Sequence, residues 1–454
     1  MNDINNNALE RMVLTFQMTS TLPEDLDLND PNMKAFLDSM GESRRNNFLA
    51  MAKDPGIRKM SNANNASMAK YWDSVYHARD NGKKVAFIPF NCSPEIFYAL
   101  DMIPVGVEVL NTFGIILEEG LNSYLDLAVE RGLPDTMCSA QRGVVGMLEA
   151  GVLGKPDLLI NGALGGCDPN SKIFEYMGEK FNIPTLFLDV PYYQDQRSLD
   201  YYTDGYKQLV EALEELSGNK LDEDRLREVC DLSNQCTEIF MEITEMKRMI
   251  PNPVPNYYNA NHLAQKLTAV GTPEALDFYK TALEVCRERM GKGAHVFPEE
   301  KIRFMMMYTG IYFDQGIHYW FQEEIGVSYI MDLLVSYDFN PIIDTTNMDT
   351  MLAGLAKGML NLPMTRQLKG SWDMPASWLD DLLYYVDTYK ADCLVFTGHS
   401  ACKQVWGMYR LVADEIKKQL GVPCLRLEGD GWDSRVSSMK VIKEQMSEFF
   451  ETLV

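Results

Sequence analysis

The chain has 454 residues, a formal net charge of −23 at pH 7, 46% hydrophobic residues and 24% charged residues. That length allows two to four domains at roughly 100–200 residues each. So acidic a balance argues against nucleic acid as the main partner, which needs a basic face, and against charge-driven docking on an anionic membrane. No run of about 18 apolar residues occurs, so no membrane-spanning helix is expected. The opening MNDINNNALE lacks the basic start and apolar stretch of an export signal, and a cytoplasmic location is expected.

Residues 1–80 read as a polar, helical N-terminal segment with breaks at Pro23, Pro31 and Pro55. Residues 81–200 read as a first α/β domain, with apolar strands expected at 84–91, 104–110, 157–164 and 184–190. Residues 201–300 are charge-rich and carry Leu209, Leu213 and Leu216 at helical spacing, so they read as a helical connector. Residues 301–454 read as a second α/β domain, with strands at 303–309, 327–335, 392–398 and 423–428. The expected fold is α/β: two similar doubly wound, mostly parallel domains, because near-continuous apolar strands alternating with helices signal a sheet buried on both faces. The Met305–Met307 run fits a buried strand, and the charge run from Asp222 to Glu228 fits a solvated helix face.

The two α/β units read as a repeat. KPDLLINGALGGC at 155–167 aligns with KADCLVFTGHSAC at 390–402, and 402 minus 167 gives the constant offset of 235 that also relates Lys155 to Lys390 and Asp157 to Asp392. In each unit a helix and a proline-led strand follow the last cysteine, as divergent duplication would produce.

Nine cysteines are present. An odd number in an unexported chain points to free or metal-bound thiols rather than a disulfide framework. Five histidines without a His-x-x-x-His pair argue against a histidine-rich zinc site. Cys167 and Cys402 each fall just past an expected strand and at the start of an expected helix, where ligand sites of open α/β sheets lie and where the helix dipole stabilises a thiolate. Gly165, Gly166 and Gly398 beside them would let a bulky group approach the backbone. Two such turns facing across a cleft can share an iron–sulfur or zinc centre. A third thiolate is best supplied by Cys138, in the loop leading into a helix. Cys230, Cys236 and Cys286 fall in the amphipathic region, Cys393 and Cys424 lie inside strands and read as core, and Cys92 is open to either reading. There is no CxxC, so the spacing by itself leaves inert buried thiols and a metal site both open.

Three stretches carry a resemblance: NCSPEIFYALDMIPVGVE at 91–108, the GGCDPN stretch, and HSACKQVWGMYRLVADEIKKQLGVPCLRLEGDGWDSR near the C-terminus. Over about 84–200 and 300–454 the chain resembles subunits of the 2-hydroxyacyl-CoA dehydratase and benzoyl-CoA reductase family. The resemblance implies two α/β domains with a [4Fe-4S] cluster between them, held by Cys138, Cys167 and Cys402, with the fourth iron position left for water, substrate or another small ligand. Related subunits often carry Arg after the third cysteine, where this chain has Lys403. Ser93 and Glu108 resemble positions near substrate, although Ser93 followed by Pro94 also reads as a helix N-cap. His399 and Ser400 closely precede Cys402 and could donate to cluster sulfurs or a thioester oxygen, or serve only the loop. Asp430, Asp433 and Arg435 read as loop-structuring residues.

The function so implied is that of a dehydratase subunit, a lyase. One electron reduces the thioester carbonyl of a 2-hydroxyacyl-CoA to a ketyl radical anion, which expels the neighbouring hydroxyl; loss of a proton and return of the electron give the enoyl-CoA. This route acidifies a β-hydrogen that ordinary acid–base catalysis would not remove. The chain has neither a G-x-x-x-x-G-K-[ST] loop nor a strand-linked G-x-G-x-x-G, which fits a family in which a separate ATP-dependent activator protein supplies the electron. The implied partners are acyl-CoA, that activator and a homologous second subunit forming a heterodimer, and the resemblance leaves room for a flavin in the complex. The alternatives are a benzoyl-CoA reductase-like oxidoreductase subunit, an iron–sulfur electron-transfer protein without organic substrate, and a non-catalytic partner subunit. CoA is polyanionic and the chain is strongly acidic, so its phosphates are expected to meet a local Lys/Arg cluster or the partner subunit.

Overall fold

The structure, a computed structural model, describes residues 6–111, 114–115, 121–162, 166–292, 300–332, 342–365, 370–398 and 400–454. Eight short strands form two sheets. β1 (Val85–Ile88), β2 (Ile103–Gly106), β3 (Leu158–Asn161) and β4 (Thr185–Phe187) pair in the order β2-β1-β3-β4. β5 (Ile302–Met306), β6 (Val327–Asp332), β7 (Cys393–Phe396) and β8 (Cys424–Arg426) pair in the order β6-β5-β7-β8. All six pairings are parallel. The chain therefore holds two α/β units of one strand order, as the repeat implies, with β3 and β7 in equivalent positions.

The central strands are buried on both faces, which is why they read as unbroken apolar runs. Phe87 and Leu159 enter one core while Ala86, Ile88, Leu158 and Ile160 enter the core on the opposite face. In the second sheet Met305, Leu394 and Phe396 face one way and Phe304, Met306 and Val395 the other. The Met305–Met307 run is thus fully buried in and beside β5.

The repeat extends to hydrogen bonding. Asp157, just before β3, accepts the Val85 amide at 3.0 Å on Oδ2, and its own amide donates to the Val85 carbonyl at 2.8 Å. Asp392, just before β7, does the same with Arg303 at 2.8 and 2.7 Å. Each aspartate pins the start of the central strand beside it. Replacing either with alanine leaves a strand amide without its acceptor, so D157A and D392A are each expected to destabilise the chain by about 1–3 kcal/mol in urea unfolding.

Helices fill the remainder. Pro31 and Pro55 open Pro31–Asp38 and Pro55–Tyr76, behind the capping carboxylates of Asp30 and Asp54; proline suits this first position because its missing N–H would be unpaired there anyway. Helices Gln196–Ser217, Glu223–Met246, Tyr257–Thr268 and Pro273–Lys292 occupy the connector. Leu209 and Leu213 are buried against the first sheet. Helix Pro55–Tyr76 packs on Asn6–Thr19, Tyr257–Thr268 and Pro273–Lys292, and Ser67 donates to Gln265 at 2.9 Å. The N-terminal and connector helices thus share one core with the first sheet. Among the described residues, no helix is long and apolar enough to cross a membrane.

The strands are shorter than expected: 84–91 ends at Ile88, 184–190 at Phe187 and 303–309 at Met306, and the change matters most at β2. The run 104–110 leaves the sheet at Gly106, and Val107–Leu110 forms a single 3-10 turn. Gly106 lies against helix Tyr257–Thr268, and a Cβ there would sit 3.0 Å from the Leu267 carbonyl. The turn redirects Glu108 out of the strand pleat and toward the cavity described next.

Candidate active site

Three cysteines occupy the same structural position on three helices. Cys138 is the N-cap of Ser139–Glu149, Cys167 of Asp168–Phe181 and Cys402 of Lys403–Leu420. All three line one cavity of about 520 Å³ between the halves. The amides of Ala140 and Gln141 lie close enough to Cys138 to favour its thiolate, as do Asn170 for Cys167 and Gln404 and Val405 for Cys402. None of these reaches full hydrogen-bond geometry with sulfur, so the influence is that of nearby N–H dipoles at a helix start.

Burial outweighs those dipoles in the free thiols. It pushes Cys138 up to about 12 and Cys167 well above the ordinary thiol value, and it raises Cys402. Charge repulsion adds to this: Asp430 and Cys402 act on Cys138, and Cys138, Cys402 and Glu108 act on Cys167. All three cysteines line the same cavity, so each lies within reach of the others' charge. Without a cation they are protonated; a bound metal would reverse that preference. Tyr308, just past β5, joins them, with its hydroxyl 3.8 Å from the Cys402 Sγ and its ring stacked on Trp378.

Cys138, Cys167 and Cys402 are the thiols that could hold a metal centre in this cavity. Among the described residues, no three His, Cys, Asp or Glu side chains converge tightly enough to hold a single metal ion. A cluster would make a different demand, because each thiolate would bind a different iron. Three thiols around a roomy cavity, each at the positive end of a helix, suit an anionic multi-iron group.

Glu108 faces the same cavity. Its Oε1 accepts from Asn170 Nδ2 at 2.6 Å and from Gln141 Nε2 at 3.5 Å, while its buried Oε2 has no partner. Burial pushes its pKa up to about 7, and the two amide contacts only partly offset that. Gln141 and Asn170 each lie three residues after a cysteine, on the helix that cysteine caps. The same two helices therefore present both a thiol and the support for Glu108. The Cys-x-x-Gln and Cys-x-x-Asn spacing was a signal available in the sequence.

The other expected site residues are placed differently. Ser93 is buried but does not line this cavity; its hydroxyl donates to Glu95, and its amide donates to the Tyr206 hydroxyl at 3.2 Å. Nor does Ser93 cap the following helix, since Pro94 occupies the cap position. Ser400 donates to Asp430 at 3.3 Å. His399 lies outside the described residues, as does Gly165. Cys92 lines a separate cavity of about 80 Å³ near Glu95 and Ser233. Cys393 is buried in β7 and Cys424 half-buried in β8, and all nine cysteines are unpaired. Gly398 gives no room to a ligand: its φ is +51°, and a Cβ there would lie 2.8 Å from the Trp406 ring. It is needed for a left-handed turn beside an indole.

Loop 430–435 carries more than its own shape. Asp430 accepts from Ser139 in the first half, and Asp433 lies 3.9 Å from Arg142. Arg435 reaches Asp126 at 2.7 Å, and Trp432 stacks on Tyr312. The expectation of loop-structuring carboxylates therefore holds, but it missed that the loop ties the halves together.

Two α/β units of one topology, with three helix-capping thiols and a raised-pKa carboxyl around the cavity between them, define a two-domain α/β protein built around a thiol-lined cleft. The chain belongs to the family described as 2-hydroxyglutaryl-CoA dehydratase, D-component, which matches residues 89–453. It is 25% identical to a benzoyl-CoA reductase subunit of Thauera aromatica over 85% of this chain and 92% of that protein. It is 23% identical to the (R)-phenyllactyl-CoA dehydratase alpha subunit of Clostridium sporogenes, over 79% and 86% respectively. It is 21% identical to the lactoyl-CoA dehydratase alpha subunit of Anaerotignum propionicum, over 80% and 88%. Helix Pro55–Tyr76, which contributes Asn64, Asn65, Met68 and Trp72 to the cavity, precedes the family match.

Proposed function

We propose that this chain is a subunit of an iron–sulfur 2-hydroxyacyl-CoA dehydratase, with Cys138, Cys167 and Cys402 as the ligands of a [4Fe-4S] cluster. The observation that carries this reading is the convergence of three helix-capping thiols and Glu108 on one cavity. The dehydratase names of the relatives support the reaction class. When bound, the cluster supplies one electron to the thioester carbonyl and an open iron position as Lewis acid.

The chain's own residues then have separable tasks. The helix N-termini stabilise negative charge in the cavity. Glu108, poised near neutral pH, exchanges a proton with the hydroxyl that leaves or with the β-carbon that loses hydrogen, and its unpartnered Oε2 is the atom free to do so. Gln141 and Asn170 fix that carboxyl. The relatives are all named as subunits, which supports a second subunit here. The chain lacks a phosphate-binding loop, which supports an ATP-dependent activator as a separate protein.

A second reading, reduction of an aromatic acyl-CoA, is favoured by the similarity to the benzoyl-CoA reductase subunit across nearly the whole of that protein. One experiment separates the two. The chain is produced anaerobically with its partner subunit, assayed for iron and sulfide, and given activator, ATP and reductant with either a 2-hydroxyacyl-CoA or benzoyl-CoA. The proposal expects enoyl-CoA from the first and no ring reduction of the second. Dehydration by this chain alone, without activator or ATP, would overturn the electron-injection mechanism.

A further inference from the structure

Asp430 stands where the two halves meet. It is almost fully buried in the loop after β8 and accepts hydrogen bonds from both halves. Its Oδ1 takes the Ser139 hydroxyl and the amides of Trp432 and Asp433, the latter two at 2.9 Å; its Oδ2 takes the Ser400 hydroxyl at 3.3 Å. Ser139 directly follows Cys138, and Ser400 precedes Cys402 by two residues. One carboxylate thus holds the loop of a first-half cysteine and the loop of a second-half cysteine, from positions 291 and 30 residues away in sequence.

We infer that Asp430 is a positioning residue for the proposed cluster: it clamps the Cys138 and Cys402 loops across the cleft and places a fixed negative charge beside the iron–sulfur group. This rests on the function proposed above. The charge is near enough to matter, since the carboxylate holds the residue next to Cys138 and a residue two before Cys402 by direct hydrogen bonds. One-electron reduction adds a negative charge to a cluster, and a buried carboxylate beside it disfavours that addition and lowers the reduction potential. A low potential is what delivery of an electron to a thioester carbonyl requires. Removing the charge should weaken the reductant even where the cluster remains in place.

The test uses the full chain, made anaerobically, in the forms wild type, D430N and a double variant S139A/S400A. Iron and sulfide per chain, the midpoint potential of the cluster by spectroscopic redox titration, and thermal unfolding of the metal-free chain are measured on each. D430N keeps the shape and one acceptor oxygen but removes the charge. It is expected to shift the one-electron equilibrium at least tenfold toward reduction, about +59 mV, a change that a merely structural role would not produce. S139A/S400A keeps the charge and removes both side-chain donors. It is expected to fold with an unfolding midpoint close to wild type but to hold less iron, because the two cysteine loops lose their shared anchor. Wild-type potential in a cluster-loaded D430N overturns the charge role; wild-type iron content in S139A/S400A overturns the clamp. If D430N fails to fold, the double variant still decides the clamp. A wild-type chain that binds no iron overturns the cluster reading itself, an outcome distinct from either failure of Asp430.

Discussion

Substituting Glu108 with glutamine should lower dehydration of a 2-hydroxyacyl-CoA by about 100-fold or more while leaving iron content unchanged, because it removes proton exchange and keeps the shape. The same variant makes a stability prediction on the metal-free chain. Glu108 titrates near 7 when folded, above the ordinary carboxyl value of 4.5. The folded chain therefore holds a proton that the unfolded chain has released between those pH values. Stability from this group is present below pH 4.5 and is lost as pH rises through about 7. At pH 8 the penalty is at most about 3 kcal/mol, taken from the size of the shift. E108Q should then be more stable than wild type at pH 8 by up to that amount and equal to it at pH 4. Urea unfolding at the two pH values measures the difference. An E108Q chain with the pH dependence of wild type would show that Glu108 is not the buried titrating group.

Serine substitution of Cys138, Cys167 or Cys402 should reduce iron and sulfide to near background and abolish turnover, since a hydroxyl is a poor ligand for iron at neutral pH and three ligands leave none to spare. C393S supplies the contrast. It places a hydroxyl inside an apolar strand and should destabilise the chain by about 1–3 kcal/mol while iron content stays at the wild-type level. Iron analysis with urea unfolding on the four variants separates a ligand from a core thiol. Full iron in any one of C138S, C167S or C402S would remove that cysteine from the ligand set.

The strand pattern was legible because buried parallel strands carry it in their own composition. VAFI, LLIN, IRFMM and CLVF are apolar almost throughout, and each is a strand. The 235-residue offset was legible for the same reason: it preserves local features, an aspartate before the strand and a cysteine capping the next helix. The early end of β2 was not: there Gly106 lies against the Leu267 carbonyl of helix Tyr257–Thr268, a neighbour far along the chain. Ser93 shows the limit from the other side. Its local sequence favours a cap, but the nearby Glu95 carboxylate accepts its hydroxyl instead.

By itself, then, the sequence determined the class of fold, the repeat and the position of each cysteine relative to its own helix, since those follow from side-chain periodicity and from the groups a helix leaves unpaired at its start. The resemblance singled out Cys138, Cys167 and Cys402, but only the tertiary structure showed that they line one cavity, that Glu108 is held by the helices capped by Cys138 and Cys167, and that Asp430 joins loops from opposite halves. Those relations depend on how two sheets and a helical layer pack, and packing brings together residues whose separation along the chain leaves no local trace.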